Sequence, residues 1–462
     1  MKRDYSLVAI RHKNKRSRMT KIRKTSSAVL SLSLVVILLA AFTIRLGFAQ
    51  PRTITVPDDF ATIQEAVDAA NAGDIIFVRS GIYNETVTIR KDGLVLTGEN
   101  KDTTVIDGGG GDVPAVLVVS AENIEVNGFN MQNGYEGIEL HQVTGITISG
   151  NMISTSRFGV GSSRSSEVTL SGNTLTGNED GIYLWDVSSF SVSGNTITNN
   201  TNNGISIIVS SDCNFSGNMI TGNANNGVSI GSSSNCTVYG NRFADNKDGI
   251  RFYSSEQITV TENTITDNEY GINFWNVSSI TVSGNTLSSN EIGFGIYGST
   301  EVSFYHNNLI NSTKQIDATN VTNNWDNGAE GNYWSDYDWV DANRDGIGDT
   351  QYVIDSNNKD NYPLMTPYYA STSSANKPTE ENVPSEATVT DPNLPATELS
   401  PKINTDTASK NTTEAKVKKL IMTTDQQEQQ ERVVIPEFPS CIIISLFLTV
   451  SLAVTIYKKK LN

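Results

Sequence analysis

Short alternating runs such as Ile146-Thr147-Ile148 and Ile182-Tyr183-Leu184 recur through the middle of the chain, parted by Gly, Asn and Ser. A hydrophobic period of two with turn residues between the runs predicts strands, not helices. The tripeptide Ser-Gly-Asn and its variants place equivalent asparagines at Asn151, Asn173, Asn195, Asn218, Asn241, Asn263, Asn285 and Asn307, 22 or 23 residues apart. A glycine ahead of an aliphatic or aromatic residue keeps step with them at Gly137, Gly159, Gly181, Gly204, Gly227, Gly249, Gly271 and Gly293. Two markers in phase define a repeat. A unit of this length has room for three short strands and three turns, and stacked units set like residues about 4.8 Å apart.

Stacking makes a demand that the sequence can meet or fail, since an inward position must stay apolar in every coil. Five residues before the marker asparagine stand Ile146, Val168, Phe190, Cys213, Cys236, Ile258, Ile280 and Val302. Three before it stand Ile148, Leu170, Val192, Phe215, Val238, Val260, Val282 and Phe304, and two after it Ile153, Leu175, Ile197, Ile220, Phe243, Ile265, Leu287 and Leu309. All three columns pass. The fold class is therefore all-β, a right-handed parallel β-helix of one strand per sheet per coil. The asparagine column reads as a turn position, where Asn tolerates left-handed backbone and its amide reaches the Asn of the next coil.

Phe60 to Ala70 has helical apolar spacing, and a short amphipathic helix here is expected to cover the open N-terminal end of the coils. Residues 51–112 form this cap and the first coils, residues 113–310 the repeats, and residues 311–370 a closing module. Cys213 and Cys236 share an inward column on neighbouring coils, which leaves a disulfide and two buried thiols both open.

Net charge is −16, but residues 1–49 hold 11 of the 34 basic residues and one acid, so the remainder carries 23 basic against 49 acidic residues. That acidic surface repels phosphate backbones and speaks against nucleic acid as a partner. The basic block from Lys2 to Lys24, the apolar run Ala28 to Ile44 and the small residues Gly47 and Ala49 have the order of a secretory signal or an uncleaved anchor. A second apolar run, Cys441 to Tyr457, precedes Lys458, Lys459 and Lys460, an arrangement that puts the tail in the cytoplasm and the body outside a cell membrane. Between body and run, residues 371–434 contain no Gly and no aromatic residue, which is the composition of an unstructured stalk. Eight N-x-Ser/Thr sequons, at Asn84, Asn199, Asn214, Asn235, Asn276, Asn311, Asn320 and Asn411, suit an exported glycoprotein.

Residues 435–462 open with Pro436-Glu437-Phe438 ahead of the apolar helix and basic tail. This order resembles the PEF-type C-terminal sorting signal of archaea, which implies processing by an archaeosortase; a retained tail anchor fits the same residues. The start of the body, with Gly81-Ile82-Tyr83 and Leu94 to Gly98, resembles pectin-lyase-like β-helix proteins, although the catalytic residues of pectin methylesterases find no counterpart. Asn324-Trp325, Gly331 to Tyr337, Asp341 to Asp349 and Tyr362-Pro363-Leu364 resemble the C-terminal signature of the NosD family. That resemblance covers about residues 53–368 and implies a link to copper. Copper needs imidazole or soft ligands gathered together, whereas His141, His306 and the methionines are scattered, so the residues themselves argue against it.

Calcium has better support. Asp341, Asn343 and Asp345 present hard oxygens at alternate positions, Gly346 allows a sharp turn, Ile347 offers a carbonyl and Asp349 completes the loop. Four residues after the repeat glycine, on the solvent side by alternation, stand His141, Ser163, Trp185, Ile208, Gly231, Tyr253, Trp275 and Tyr297. An exposed line of aromatics marks a contact surface on which sugar rings stack. Trp185, Tyr253, Trp275 and Tyr297 are the expected ligand-binding residues, with extracellular carbohydrate or surface-layer components as partners. A lyase or hydrolase acting on surface glycans is the alternative, and its candidate catalytic residues are the outward Asp180 and Asp186 in one coil and Asp248 and Arg251 further along.

Overall fold

The computed structural model describes residues 51–319 and 322–369. They form a right-handed parallel β-solenoid with three sheets, each contributing one strand per coil. Sheet A runs through 12 strands from Thr53–Val56 to Thr300–Tyr305, sheet B through 12 from Gly81–Asn84 to Tyr333–Trp334, and sheet C through 11 from Val87–Ile89 to Lys314–Thr319. The chain visits A, B and C in turn, and every neighbouring pair within these sheets is parallel and in register, as in Ile148 beside Leu170 and Leu170 beside Val192.

All three apolar columns read from the sequence are buried along their whole length. Toward the C-terminal end the core becomes aromatic: Phe252 stacks on Phe274 at 5.5 Å, Phe304 on Trp325 at 4.4 Å and Trp334 on Tyr352 at 4.1 Å. The repeat glycines are required by close approach and not by torsion. A Cβ on Gly181 would lie 2.6 Å from the Gly204 carbonyl oxygen and 2.7 Å from Ile197 Cγ2.

The marker asparagines are buried and form a continuous ladder. Asn173 Nδ2 donates to Asn195 Oδ1 at 3.0 Å and to the Ile148 carbonyl at 2.9 Å, and the Asn173 backbone N–H reaches the same Asn195 Oδ1 at 2.9 Å. One detail of the sequence reading needs correction. The left-handed residue is the one before the marker, Gly150, Gly172, Gly194, Gly217, Gly240 and Gly284, with Glu262 and His306 taking the same torsion without being glycine. The asparagine is thereby freed to turn its amide inward. The ladder extends past Asn307 to Asn332 and ends on the Asp360 carboxylate, whose Oδ2 takes the Asn332 backbone N–H at 2.7 Å and the Trp334 indole N–H at 2.9 Å. A second ladder, Asn178, Asn200, Asn223, Asn246, Asn268 and Asn290, runs parallel to it at the turn after sheet B.

At the N-terminal end the helix Ile63–Ala69 is capped by Thr62, whose hydroxyl accepts the Glu65 N–H, and buries Ile63, Ala66 and Val67. The Glu85 carboxylate takes the first two helical N–H groups, of Ile63 and Gln64, at 3.0 and 2.9 Å. Asp74, held by the Asn71 and Arg52 N–H groups and the Arg52 guanidinium, is drawn down to about 2 even though burial opposes it.

Cys213 and Cys236 are free, buried thiols. Side chains on in-register neighbours project in parallel at the strand spacing of about 4.8 Å, whereas a disulfide needs Cβ atoms about 3.8 Å apart. Their mutual hydrogen bond and burial push the Cys213 thiol upward.

Loss of one rung tests the ladder. Asn218 Nδ2 serves Val192 O and Asn241 Oδ1, and its Oδ1 takes the Asn195 N–H and Nδ2. Asn218→Ala is expected to cost about 2–4 kcal/mol in urea unfolding because it strands buried partners, while Asn214→Ala, at an exposed asparagine, stays within about 0.5 kcal/mol. Equal costs at the two sites would refute the ladder's role.

Candidate functional site

The outer face of sheet C is built from three columns that alternate with its buried ones. The first runs Glu136, Phe158, Asp180, Asn203, Asn226, Asp248, Tyr270; the second Glu139, Gly161, Tyr183, Ser206, Ser229, Arg251, Asn273, Gly295; the third His141, Ser163, Trp185, Ile208, Gly231, Tyr253, Trp275, Tyr297. The aromatic line expected from the sequence is present in the third column, since Tyr253, Trp275 and Tyr297 stand on adjacent strands as register partners. Trp185 and Trp275 are 37% and 41% exposed. Trp275 packs on Tyr297 at 4.5 Å, and the Tyr297 hydroxyl donates to Asp317 Oδ2 at 2.6 Å, which Lys314 pairs from the other oxygen. Burial and the bond to Asp317 push the Tyr297 phenol upward.

A second aromatic group in the other columns escaped the sequence reading. Phe158 stacks on Tyr183 at 4.5 Å, Arg157 lies over both Tyr135 and Phe158, and Arg164 lies over Trp185. Reading all outward columns, and not the third alone, would have found it. Between the two aromatic groups the second column holds Ser206 and Ser229, and the third Ile208 and Gly231. Tyr253 leans back across this low stretch: a Cβ on Gly231 would lie 1.8 Å from its Cζ.

The candidate catalytic residues divide differently from expectation. Asp186 follows Trp185 in a left-handed turn and is exposed, and Arg251 is half-buried in the second column. Asp180 and Asp248 are not outward in the sense of solvent: they are 5% and 2% exposed, because taller neighbours in the adjoining columns close over the first. Burial pushes both carboxyls upward. Glu136, two coils before Asp180 in the same column, is raised to about 8 by burial and the neighbouring Glu139. Asp180 and Asp248 are separated by three strand spacings, roughly 14 Å, which is wider than either carboxylate pair of a glycosidase, about 5 Å or 6.5–9.5 Å. Asp180 and Asp248 therefore do not form such a pair with each other.

In the loop from Asp341 to Asp349, Asp341 takes the backbone N–H groups of Arg344, Asp345 and Gly346, Asn343 takes that of Asp345, and Asp349 takes that of Ala342. Ile347 pairs with Leu364 through an isolated bridge. These bonds satisfy the loop as a turn. Among the described residues no three imidazole, thiol or carboxyl groups gather to hold a metal ion. His141 bonds Ser163 Oγ and His306 pairs with Glu330 at the far end of the coils, so the two are not brought together. The sorting motif Pro436, Glu437 and Phe438, both apolar runs and the stalk lie outside the described residues; among the described residues no helix is long and apolar enough to cross a membrane.

Two family models match the chain: the periplasmic copper-binding protein NosD over residues 67–248 and the right-handed β-helix region over residues 180–333. A cell surface glycoprotein of Methanothermus fervidus is 29% identical over 130 residues, 28% of this chain and 21% of that protein, so the chain spans about a fifth of the relative's length. Among solved structures, the A-module of a mannuronan C-5 epimerase from Azotobacter vinelandii matches with TM-score 0.47 at 18% identity, covering 59% of this chain and 95% of that one. An alginate lyase from a Paenibacillus species matches with TM-score 0.42 at 18% identity, covering 51% and 95%.

The two kinds of glycine give a test of how firmly Tyr253 is seated. Gly231→Ala is expected to cost less than about 1 kcal/mol, since the displaced ring can rotate outward, whereas Gly181→Ala collides with buried backbone and costs about 1–3 kcal/mol. If urea melts show the same loss for both, Tyr253 is locked in place.

Proposed function

We propose that this is an exported surface protein whose β-solenoid contacts neutral or weakly charged carbohydrate through the outer face of sheet C. The observation that carries the reading is the in-register line Tyr253, Trp275 and Tyr297, with Trp185 further along the same column. Aromatic faces held in a row by a rigid sheet offer stacking platforms at fixed spacing, and large exposed aromatics are otherwise uncommon on a monomer's surface.

The pattern of sequons supports the assignment of faces. The six sequon asparagines within the described residues, Asn84, Asn199, Asn214, Asn235, Asn276 and Asn311, are all exposed, and none lies on a strand of sheet C. The asparagines of the main ladder are barred from being sequons by the fold itself, because the residue two positions on, Ile153 to Leu309, points into the core. Glycans at these sites would clothe the turns and sheets A and B, with Asn276 at the turn that follows Trp275. The match to a cell surface glycoprotein agrees with this placement. In the same reading the helix Ile63–Ala69 closes the N-terminal end of the core, and the apolar run Cys441 to Tyr457, preceded by Pro436-Glu437-Phe438, attaches the protein to the membrane.

A glycan array with the wild type and the Tyr253→Ala, Trp275→Ala and Trp185→Ala variants tests the contact face. Each truncation in the 253–275–297 line is expected to weaken binding roughly tenfold, about 1.4 kcal/mol, with unfolding midpoints unchanged. Undiminished binding in all three variants would remove the aromatic line from the account, and release of reducing ends or unsaturated sugars from any polysaccharide would replace contact by catalysis.

A further inference from the structure

The first outward column of sheet C contains a third, shorter ladder, Asp180–Asn203–Asn226–Asp248, which runs on consecutive strands. Its rungs point backward. Asn203 Nδ2 donates to Asp180 Oδ1 at 3.0 Å, and Asn226 Nδ2 donates to Asn203 Oδ1 at 2.7 Å; the backbone N–H of each donor reaches the same oxygens, at 2.8 and 3.3 Å. Asp180 therefore stands at an end where only an acceptor is needed, and a carboxylate fits it.

Asp248 stands at the other end, and there the chemistry is reversed. It is the register partner of Asn226, whose Nδ2 is turned back to Asn203 and whose Oδ1 takes no donor. Asp248 Oδ2 is occupied by Asn273 Nδ2 at 3.0 Å. Asp248 Oδ1 and Asn226 Oδ1 are both buried with no hydrogen-bond partner, on side chains 2% and 4% exposed. Two acceptors without a donor between them are a net repulsion, and a single hydrogen satisfies both.

We propose that Asp248 is held as a neutral carboxylic acid that donates its proton to Asn226 Oδ1, completing the outward ladder and making this part of the contact face sensitive to alkali. Burial is the largest influence on the group and favours the neutral form, and Glu269, before the following strand, acts in the same direction; the Asn273 hydrogen bond, Arg251 and Lys247 oppose them. The proton is bound more tightly in the folded than in the unfolded chain. Its stabilising contribution is then fully present below the ordinary carboxylate range and is lost as pH rises through the raised folded value. Loss of the proton sets a buried anion against Asn226 Oδ1 on the strand that carries Arg251 and Tyr253.

Asp248→Asn tests the assignment, because an amide at this position keeps the acceptor for Asn273 and supplies a permanent donor to Asn226. In the full chain, Asp248→Asn is expected to melt several degrees above the wild type at pH 8, with the difference shrinking away as pH falls to about 4. Asp248→Ala, which can neither donate nor accept, melts below both at every pH. An infrared difference spectrum between wild type and Asp248→Asn at neutral pH shows the carbonyl band of a protonated carboxylic acid. An Asp248→Asn variant no more stable than wild type at pH 8, or a carboxylate signature in place of the acid band, overturns the proposal. The link to the contact face rests on the carbohydrate reading: any glycan bound by the wild type should be bound more weakly as pH rises, and with unchanged affinity by Asp248→Asn. An array on which no glycan binds defeats that reading, while the melting and infrared results decide the proton on their own.

Discussion

The in-register stacking of identical positions governs everything else in this molecule. A residue in a coil of about 22 is judged by the residues directly above and below it at strand spacing, so each column behaves as a line of like groups. For apolar columns this yields an unbroken core. For polar columns it is far more exacting, because a buried amide has a direction, and its oxygen must meet a nitrogen on one side only. Asn satisfies this condition in both directions at once, donating to one coil and accepting from the other, and so it fills three separate ladders.

The same constraint explains how much of the fold could be read from the residues alone. Strand alternation fixed the inward columns, and the 22-residue phase fixed the register, because any slip would have exposed Ile148 or Val192. The glycine ahead of each apolar strand was visible as a marker, but its reason was not: the approach of the next coil's carbonyl to Gly181 depends on coil geometry that spacing does not contain. Residue type alone puts the left-handed torsion on the asparagine, whereas it belongs to the residue before it, where Glu262 and His306 show that the torsion is imposed by the coil and not by glycine's freedom. The second ladder, through Asn178 to Asn290, keeps the same phase but with a more varied tripeptide, from Thr176-Gly177-Asn178 to Ser288-Ser289-Asn290, and so is a weaker signal.

The outer face was less legible for a related reason. Alternation says which side chains leave the core, but not which of them reach solvent. Asp180 and Asp248 share the parity of the inward Ile182 and Ile250, lie in the first outer column because Gly181 and Gly249 break the alternation, and are closed over by neighbouring side chains, while Gly231 matters for the ring that lies on it. Parity located Tyr253, Trp275 and Tyr297 correctly because one column with consecutive large residues cannot be covered by its neighbours. It missed the Phe158–Tyr183 stack, which joins two columns and depends on lateral packing across the sheet.

The ends of the ladders show why acids occur where they do. The main ladder donates forward, so its last rung needs an acceptor, and it ends on Asp360. That carboxyl is fully buried, and burial, opposed by the N–H groups of Asn332, Trp334 and Tyr362, leaves it raised to about 6. The outward ladder donates backward, so an acid suits its first rung, Asp180, and not its last. An Asn at position 248 would continue the pattern with no rearrangement. Retaining Asp there leaves an acceptor facing an acceptor unless a proton is bound, and a sequence that obeys the ladder rule elsewhere and breaks it on the one face that also carries the aromatics places its exception where contact with a ligand would be felt.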